Sequence, residues 1–362
     1  MEVHRIPQGQ YVDGLRWLPI PSTLALSLWD ADTGLSTLEI AFLQDPEQEG
    51  QAPWMETQAS WDLSTRTSAM KSSSNQSNIA LALASETGSL QVFLIDAMNP
   101  SLDSAPLVLE RLHKNVPSAL DIQKDTLQCV TVGSDGRINL VQARQSGLQG
   151  DCLHDNRGVL SYSTVCWASP TEFVLAGHGA GIQWWDNRRP GGAVAQSPAK
   201  GELTGRNRVG ADGVGSIHTV DVHQSRKHLS VVGGSGGTVL AWDLRRQNEL
   251  HSLAGRGCKS GSSTGAEGEI WNVKLDPALQ VGQGESGKIP PVLMCSEDGI
   301  LALIESGMTT ELAVESCAIN SFDVDLELGS EIVCALEHER NWCKFLRSSL
   351  SKEVVEKCES VE

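Results

Sequence analysis

A thirteen-residue stretch, Val174–Asp186 (VLAGHGAGIQWWD), recurs in weaker copies along almost the whole chain. Ser230–Asp243 (SVVGGSGGTVLAWD) is a close copy. Leu81–Asp96, Cys129–Gln142 and Leu293–Glu305 are more distant ones. Each is a short apolar run, a tight Gly-rich turn and a second apolar run, which is the pattern of a β-hairpin. The turn residues Gly88, Gly136, Gly181, Gly237 and Gly299 are spaced by 48, 45, 56 and 62 residues. A first copy at Thr23–Ile40, with Gly34 in its turn, and a degenerate last one at Glu331–Leu346 bring the number to seven. One hairpin cannot bury its apolar face alone, so a chain of such units must stack them.

A further strand signal precedes most hairpins. It reads Val12–Leu18, Ser118–Ile122, Leu160–Trp167, Ser216–Val222, Glu269–Leu275 and Cys317–Val324. Polar and apolar residues alternate in these runs, as in strands with one buried face. Ser64–Asn78 is mostly Ser, Thr and Asn, and a strand is expected there only over Thr65–Met70. Four short strands per unit make a small twisted sheet. Seven such sheets around one axis bury both faces and leave only short edges. The sequence therefore predicts an all-β fold, a seven-bladed β-propeller over residues 1–346.

The expected blades are 8–57, 58–116, 117–157, 158–212, 213–267, 268–315, and 316–346 joined by 2–6. The N-terminal Glu2–Ile6 is expected to pair with the last blade and close the ring. Residues 347–362 form an acidic tail. Phe173–Leu175, Leu229–Val232 and Pro291–Cys295 read as inner strands, and Ile182–Trp185 and Val239–Trp242 as third strands. Loops at 44–56, 98–106, 197–213, 254–268 and 280–290 take up the length beyond the roughly 40–45 residues of a WD-type unit.

Composition narrows the classes of function. The formal net charge is −17. Phosphate backbones select basic faces, so a direct nucleic-acid partner is not expected. Asp30–Asp62 holds eight carboxylates (Asp30, Asp32, Glu39, Asp45, Glu47, Glu49, Glu56 and Asp62) and no Lys or Arg. A solvated surface and a dock for a basic partner are both readings of that run. No run of eighteen apolar residues occurs, so no membrane insertion is expected. MEVHRIPQGQYV lacks the basic and apolar regions of a secretory signal, and the nine cysteines are scattered and odd in number. Both point to a reducing compartment.

No residues are assigned to catalysis, a cofactor or a metal. His154, His178, His218 and His223 lie beside no nucleophile in sequence, and structural or surface roles are expected for each. Cys334, His338 and Cys343 match no standard zinc spacing. Each Gly-rich turn leads into a strand, which leaves no helix terminus to hold a phosphate. Trp185-Asp186 and Trp242-Asp243 end third strands, and Arg188 and Arg245 are expected to pair with acidic turn residues. Trp17, Trp167 and Trp271 read as core residues of first strands.

Gly133–Leu140, Gly181–Gly192, Gly233–Arg245, Glu269–Pro277 and Ser296–Glu305 together resemble the WD-repeat family. The resemblance is closer in DGLRWLPIP (Asp13–Pro21), TVGSDGRINL (Thr131–Leu140) and INSFDVD (Ile319–Asp325). These look like the 43-kDa WD-repeat nucleoporins, in a plant form, and the likeness spans almost the entire chain. It implies a non-catalytic, structural propeller in the Y-shaped scaffold subcomplex of the nuclear pore, at the nuclear envelope. It further implies a helical-solenoid scaffold nucleoporin as chief partner, no obligate homo-oligomer, and a supporting role in pore assembly, mRNA export and protein transport. The alternative is a WD-repeat adaptor that recruits substrates to a ubiquitin ligase or binds a chromatin protein.

Overall fold

The structure is a computed structural model that describes residues 2–44, 53–75, 78–102, 104–124, 126–144, 147–189, 191–197, 215–246, 250–255, 267–277, 288–325, 331–337 and 341–346. The expected loops at 197–213, 254–268 and 280–290 lie largely outside these residues, and the tail 347–362 wholly so.

Among the described residues, 28 strands form seven four-stranded antiparallel sheets. The chain opens with β1 (Glu2–Pro7). Blade 1 is β2 (Tyr11–Trp17), β3 (Thr23–Trp29), β4 (Ser36–Gln44) and β5 (Trp54–Leu63). Blade 2 is β6 (Thr67–Asn75), β7 (Asn78–Ser85), β8 (Leu90–Asp96) and β9 (Leu107–Leu109). Blade 3 is β10 (Pro117–Ile122), β11 (Cys129–Gly133), β12 (Arg137–Arg144) and β13 (Gly147–Asp155). Blade 4 is β14 (Ser161–Trp167), β15 (Glu172–His178), β16 (Gly181–Asp186) and β17 (Ala195–Gln196). Blade 5 is β18 (Ile217–Val222), β19 (Leu229–Gly234), β20 (Val239–Asp243) and β21 (Leu250–Ala254). Blade 6 is β22 (Ile270–Leu275), β23 (Val292–Ser296), β24 (Ile300–Glu305) and β25 (Met308–Val314). Blade 7 is β26 (Ile319–Val324), β27 (Glu331–Leu336), β28 (Asn341–Leu346) and, across the chain ends, β1.

The first strands touch in a closed circuit, β2 to β6 to β10 to β14 to β18 to β22 to β26 and back to β2. This is a seven-bladed propeller. It is closed by β1, which pairs antiparallel with β28 from Glu2↔Leu346 to Pro7↔Asn341. The N-terminal strand thus supplies the outer, fourth strand of blade 7 and ties the start of the chain to the last blade.

Seven apolar clusters fill the seven seams between blades. Val174, Ala176 and Trp184 meet Val220, Val232 and Trp242 between blades 4 and 5. Ile6, Val333 and Trp342 meet Leu15, Trp17 and Leu24 between blades 7 and 1. The second strand of each blade feeds both of its seams, because successive side chains point to opposite faces. Cys129 packs toward blade 2, whereas Val130 and Val132 pack toward blade 4. Such strands read as continuous apolar runs because neither face meets water. Full burial of each Val, Leu or Ile is worth about 1.5–3 kcal/mol, so the seams supply most of the driving force.

The turns between second and third strands explain the repeated glycines. Gly136 (φ 73°) and Gly299 (φ 76°) sit in the left-handed region. A Cβ there would also strike the connection leaving the blade, at Asn156 and Leu160 for Gly136 and at Glu315 and Cys317 for Gly299. Glycine is needed twice over, for its φ and for its missing side chain.

Three sequence expectations need correction. The blade boundary at 57/58 falls inside β5, which runs to Leu63 opposite Ser36. The extra residue Gln58 shifts the register between Ile40 and Ala41, and pairing continues to Gln44↔Trp54, so 54–56 is strand and not loop. β6 continues five residues past Met70, through Lys71 and three serines to Asn75. An innermost strand keeps one face on a polar channel, so Ser is no obstacle there. Ser72 Oγ, for instance, donates to the Trp17 carbonyl of blade 1 (3.2 Å). Finally, Phe173–Leu175, Leu229–Val232 and Val292–Cys295 are second strands, and the channel is lined by the strands before them.

Candidate functional site: the channel belt and the rim

Each first strand carries a bulge near its start: at Val12/Gly14, Thr67/Ala69, Pro117/Ala119, Tyr162/Thr164, Ile217/Thr219, Ile270/Asn272 and Ile319/Ser321. Two residues beyond each bulge, the equivalent positions are Arg16, Lys71, Asp121, Cys166, Asp221, Lys274 and Asp323. Three cations, three carboxylates and a thiol thus form one belt around the inner circuit. Their charges cancel.

The carboxylates of the belt join neighbouring blades. Asp121 Oδ2 accepts the Trp167 N–H (2.7 Å). Asp221 Oδ2 accepts the Leu275 N–H (2.8 Å), and Asp323 Oδ2 accepts the Trp17 N–H across the closing seam (2.9 Å). Hydroxyls do the same work elsewhere: Thr164 Oγ1 accepts the Val220 N–H (3.1 Å) and Thr219 Oγ1 the Val273 N–H (3.3 Å). A first strand is the inner edge of its sheet, so every second backbone N–H points away from the ladder, and these side chains satisfy them.

Environment separates the carboxylates. Burial raises the Asp121 pKa above the ordinary range, against the pull of Lys71. Burial acts on Asp323 in the same sense. There Lys274 and Arg16, with hydrogen bonds from Lys274 and Trp17, overcome it and hold the carboxyl below the ordinary range. Lys274 Nζ is in direct contact with Asp323 Oδ1. Cys166 lies between Asp121 and Asp221, and burial followed by those two charges drives its thiol far up. It stays a neutral thiol.

A second polar network is buried beside the turn of blade 3. His113 Nδ1 donates to Asp135 (3.0 Å), and its Nε2 accepts from Thr131 Oγ1 (2.9 Å) and Asn139 Nδ2 (3.1 Å). The Asn139 amide donor at Nε2, with Nδ1 facing Asp135, fits the neutral ring protonated at Nδ1. Burial pushes the His113 pKa down, against the upward pull of Asp135. Asp135 also accepts the Lys114 N–H (2.9 Å), which ties the incoming connection to the turn. Asp298 accepts the Gly268 N–H (2.6 Å) in blade 6 and Ser235 Oγ the Ser216 N–H (2.9 Å) in blade 5. His113 is absent from the sequence reading. Its signal was its place just before a first strand, 22 residues ahead of the Ser-Asp-Gly turn it caps.

The histidines singled out in sequence are dispersed. His154 packs on Trp185 (5.2 Å between centroids), and His178 is exposed at the end of β15. His223 Nδ1 accepts the Ser225 and Arg226 N–H groups and so caps a turn. Simple alternation would put His218 on the face of Val220. The bulge makes it the extra residue, and it reaches blade 6 instead, stacked on Trp271 (4.8 Å) and bonded to Glu269 (2.8 Å). Arg188 pairs with Asp186 and Arg245 with Asp243, each within its own Trp-Asp turn. The Arg188 bonds hold the Asp186 pKa down at about 2. Trp17 is buried, and Trp167 packs on Phe173. Cys129, Cys295, Cys334 and Cys343 are buried and free; burial lifts Cys129 to about 12. His338 lies outside the described residues.

No protein-family model matches the chain. The decisive likeness is to the nuclear pore complex protein NUP43 of Arabidopsis thaliana: 39% identity over 355 residues, covering 93% of this chain and 96% of the relative. The chain belongs to the Nup43 family of nucleoporins. The mouse nucleoporin Nup43 is 28% identical over 61% of this chain and 52% of its own length. The human Nup43 is 28% identical over 48% of this chain and 38% of its own. A plant relative matched end to end and animal relatives matched in part agree with the plant form expected from sequence. In this Nup43-family ring, the inner polar groups described above are engaged between blades, and the accessible surface variety lies on the rim.

Proposed function

We propose that this chain is a structural subunit of the nuclear pore complex, resident at the nuclear envelope, that acts by docking other proteins and not by catalysis. The observation that carries this reading is the end-to-end identity with a nuclear pore protein, combined with a closed ring whose strands place surface side chains rigidly. A scaffold joint needs a body that keeps its shape while it buries roughly 1,200–2,000 Å² against a partner. A propeller closed through both chain ends meets that need. The chief partner is a helical-solenoid nucleoporin of the Y-shaped subcomplex, and through it the chain supports pore assembly, mRNA export and protein transport.

The test is affinity isolation of the tagged chain under gentle lysis, with imaging of the envelope. Stoichiometric recovery of solenoid nucleoporins, and loss of rim staining when the solenoid partner is depleted, are the expected results. Recovery with a ubiquitin-ligase scaffold or histones in their place overturns the proposal.

A further inference from the structure

Blades 1 and 2 form an acidic sector. Between Tyr11 and Leu109 the sequence has twelve carboxylates and three cations, Arg16, Arg66 and Lys71. All three cations are committed within the ring. Arg16 bonds the Met70 and Leu15 carbonyls (3.1 and 2.7 Å). Lys71 stands in the belt beside Asp121. Arg66 pairs with Asp13 (2.6 Å) and covers the Trp29 ring (4.0 Å). Arg66 also lies 4.0 Å from Glu86, and none of the three cations pairs with Glu56.

On that surface the sheet of blade 1 outgrows its neighbour. β5 has ten residues and β9 only three. Gln44 pairs with Trp54 and Phe42 with Glu56, so these four share one face of the β4–β5 end. It is the face that carries Leu38 and Ile40 into the seam with blade 2. Beyond the seam this face is partly open: Phe42 is 37% and Trp54 45% exposed. Gln44 Nε2 donates to Glu56 (2.7 Å) and holds the carboxylate on this face. β8 ends at this same end of the ring, where Met98 is 90% exposed. Among the described residues no strand pairs with the outer side of β5, and its sequence contains none of the Lys or Pro that usually guard an edge.

We propose that Phe42, Trp54 and Glu56 form a docking surface for a protein segment that presents an apolar anchor flanked by lysine or arginine. Aromatic anchors at the centre of a patch carry most of the energy of a protein interface. The Glu56 carboxylate on the same face, within a sector of net negative charge, selects a cationic partner, speeds encounter and repels nucleic acid. The proposal rests on the reading above, since it takes the occupant to be a segment of the solenoid scaffold partner.

The experiment measures the affinity of the full chain for a purified helical-solenoid nucleoporin of the Y-shaped subcomplex. Four proteins are compared: wild type, Phe42→Ala/Trp54→Ala, Glu56→Lys, and Met308→Ala as an exposed apolar control on blade 6. The expected results are a loss of about 30-fold or more for the double variant, about 5-fold for Glu56→Lys, and no change for the control. Raising salt from about 50 to 200 mM should weaken wild-type binding and affect Glu56→Lys less. If wild type binds and both surface variants bind within about 2-fold of it, this surface is not the dock while the functional reading stands. If wild type does not bind the solenoid at all, both fall.

Discussion

The innermost and outermost strands of this ring obey different rules. The seven first strands are six to nine residues long, all carry a bulge near the same place, and put charged or polar side chains at one equivalent level. The seven outer strands run from two residues in β17 to ten in β5, and only β5, β13, β21 and β25 pair through a bulge. The cause is geometric. An inner strand touches both neighbouring first strands, so its length and its hydrogen-bonding side chains are dictated by ring closure. An outer strand touches solvent and can be lengthened, shortened or recoloured at little cost. Stability is concentrated inside, and freedom to evolve a partner surface lies outside.

One outer strand breaks this division, and removing it gives the largest expected effect. β1 is an outer strand by position but closes the ring. Ile6 is buried against Trp342 and Leu24, and Arg5 reaches Glu315 across from blade 6. Deleting residues 1–8 should cost about 4–5 kcal/mol and lower the thermal midpoint by roughly 5–10 °C. An unchanged midpoint in calorimetry would remove β1 from the account.

Next is the belt itself. Asp323→Ala strands Lys274 and frees the Trp17 N–H at the closing seam, for an expected loss of about 2–4 kcal/mol in urea unfolding. Asp323→Asn keeps an acceptor but loses the charge pair, and should still destabilise. Asp121→Asn should cost clearly less, because burial already penalises the ionised Asp121. The two acids also titrate with opposite consequences. Asp323 is depressed in the fold, so its contribution is present above the unfolded value of about 3.9 and is lost as pH falls through its lower folded pKa. Asp121 is raised, so protonation as pH falls toward about 3.9 favours the fold. Equal costs for the two Asn variants would show that the belt is not electrostatically differentiated.

A smaller effect comes from His113. Its folded pKa is lowered, so below about pH 6.5 the unfolded chain takes up a proton that the native ring does not. Stability should therefore fall between pH 7 and 5, and the slope of midpoint against pH should become shallower in His113→Gln. A slope unchanged by the substitution would contradict a buried neutral imidazole. The smallest effect belongs to the rim. Trp54→Ala should change stability by no more than about 0.5 kcal/mol.

The same contrast governs what could be read in advance. The hairpins, their glycine turns, the number of blades and the closure through Glu2–Ile6 follow from periodicity, since apolar runs flanking Gly have few other uses. The belt did not emerge, although all of its residues lie in or beside the recognised first strands. A bulge adds one residue and flips the alternation, so counting by twos put His218 with Val220 and hid the equivalence of Asp121, Asp221 and Asp323. The serine-rich end of β6 was missed because a channel face tolerates polar residues that strand propensity discourages. The acidic run was visible, but not that Phe42 and Trp54 are partly exposed on the face of Glu56. That depends on how far β9 falls short of β5, which only the assembled sheets reveal.

The central claim separates holding the ring from binding with it, and paired measurements on Asp323→Ala and Phe42→Ala/Trp54→Ala test it most directly. The account predicts that the belt variant loses several degrees of thermal midpoint while its folded form keeps wild-type affinity for the solenoid. It predicts that the rim variant melts with wild type and loses affinity. A rim variant that unfolds early, or a belt variant that melts normally and no longer binds, would contradict it.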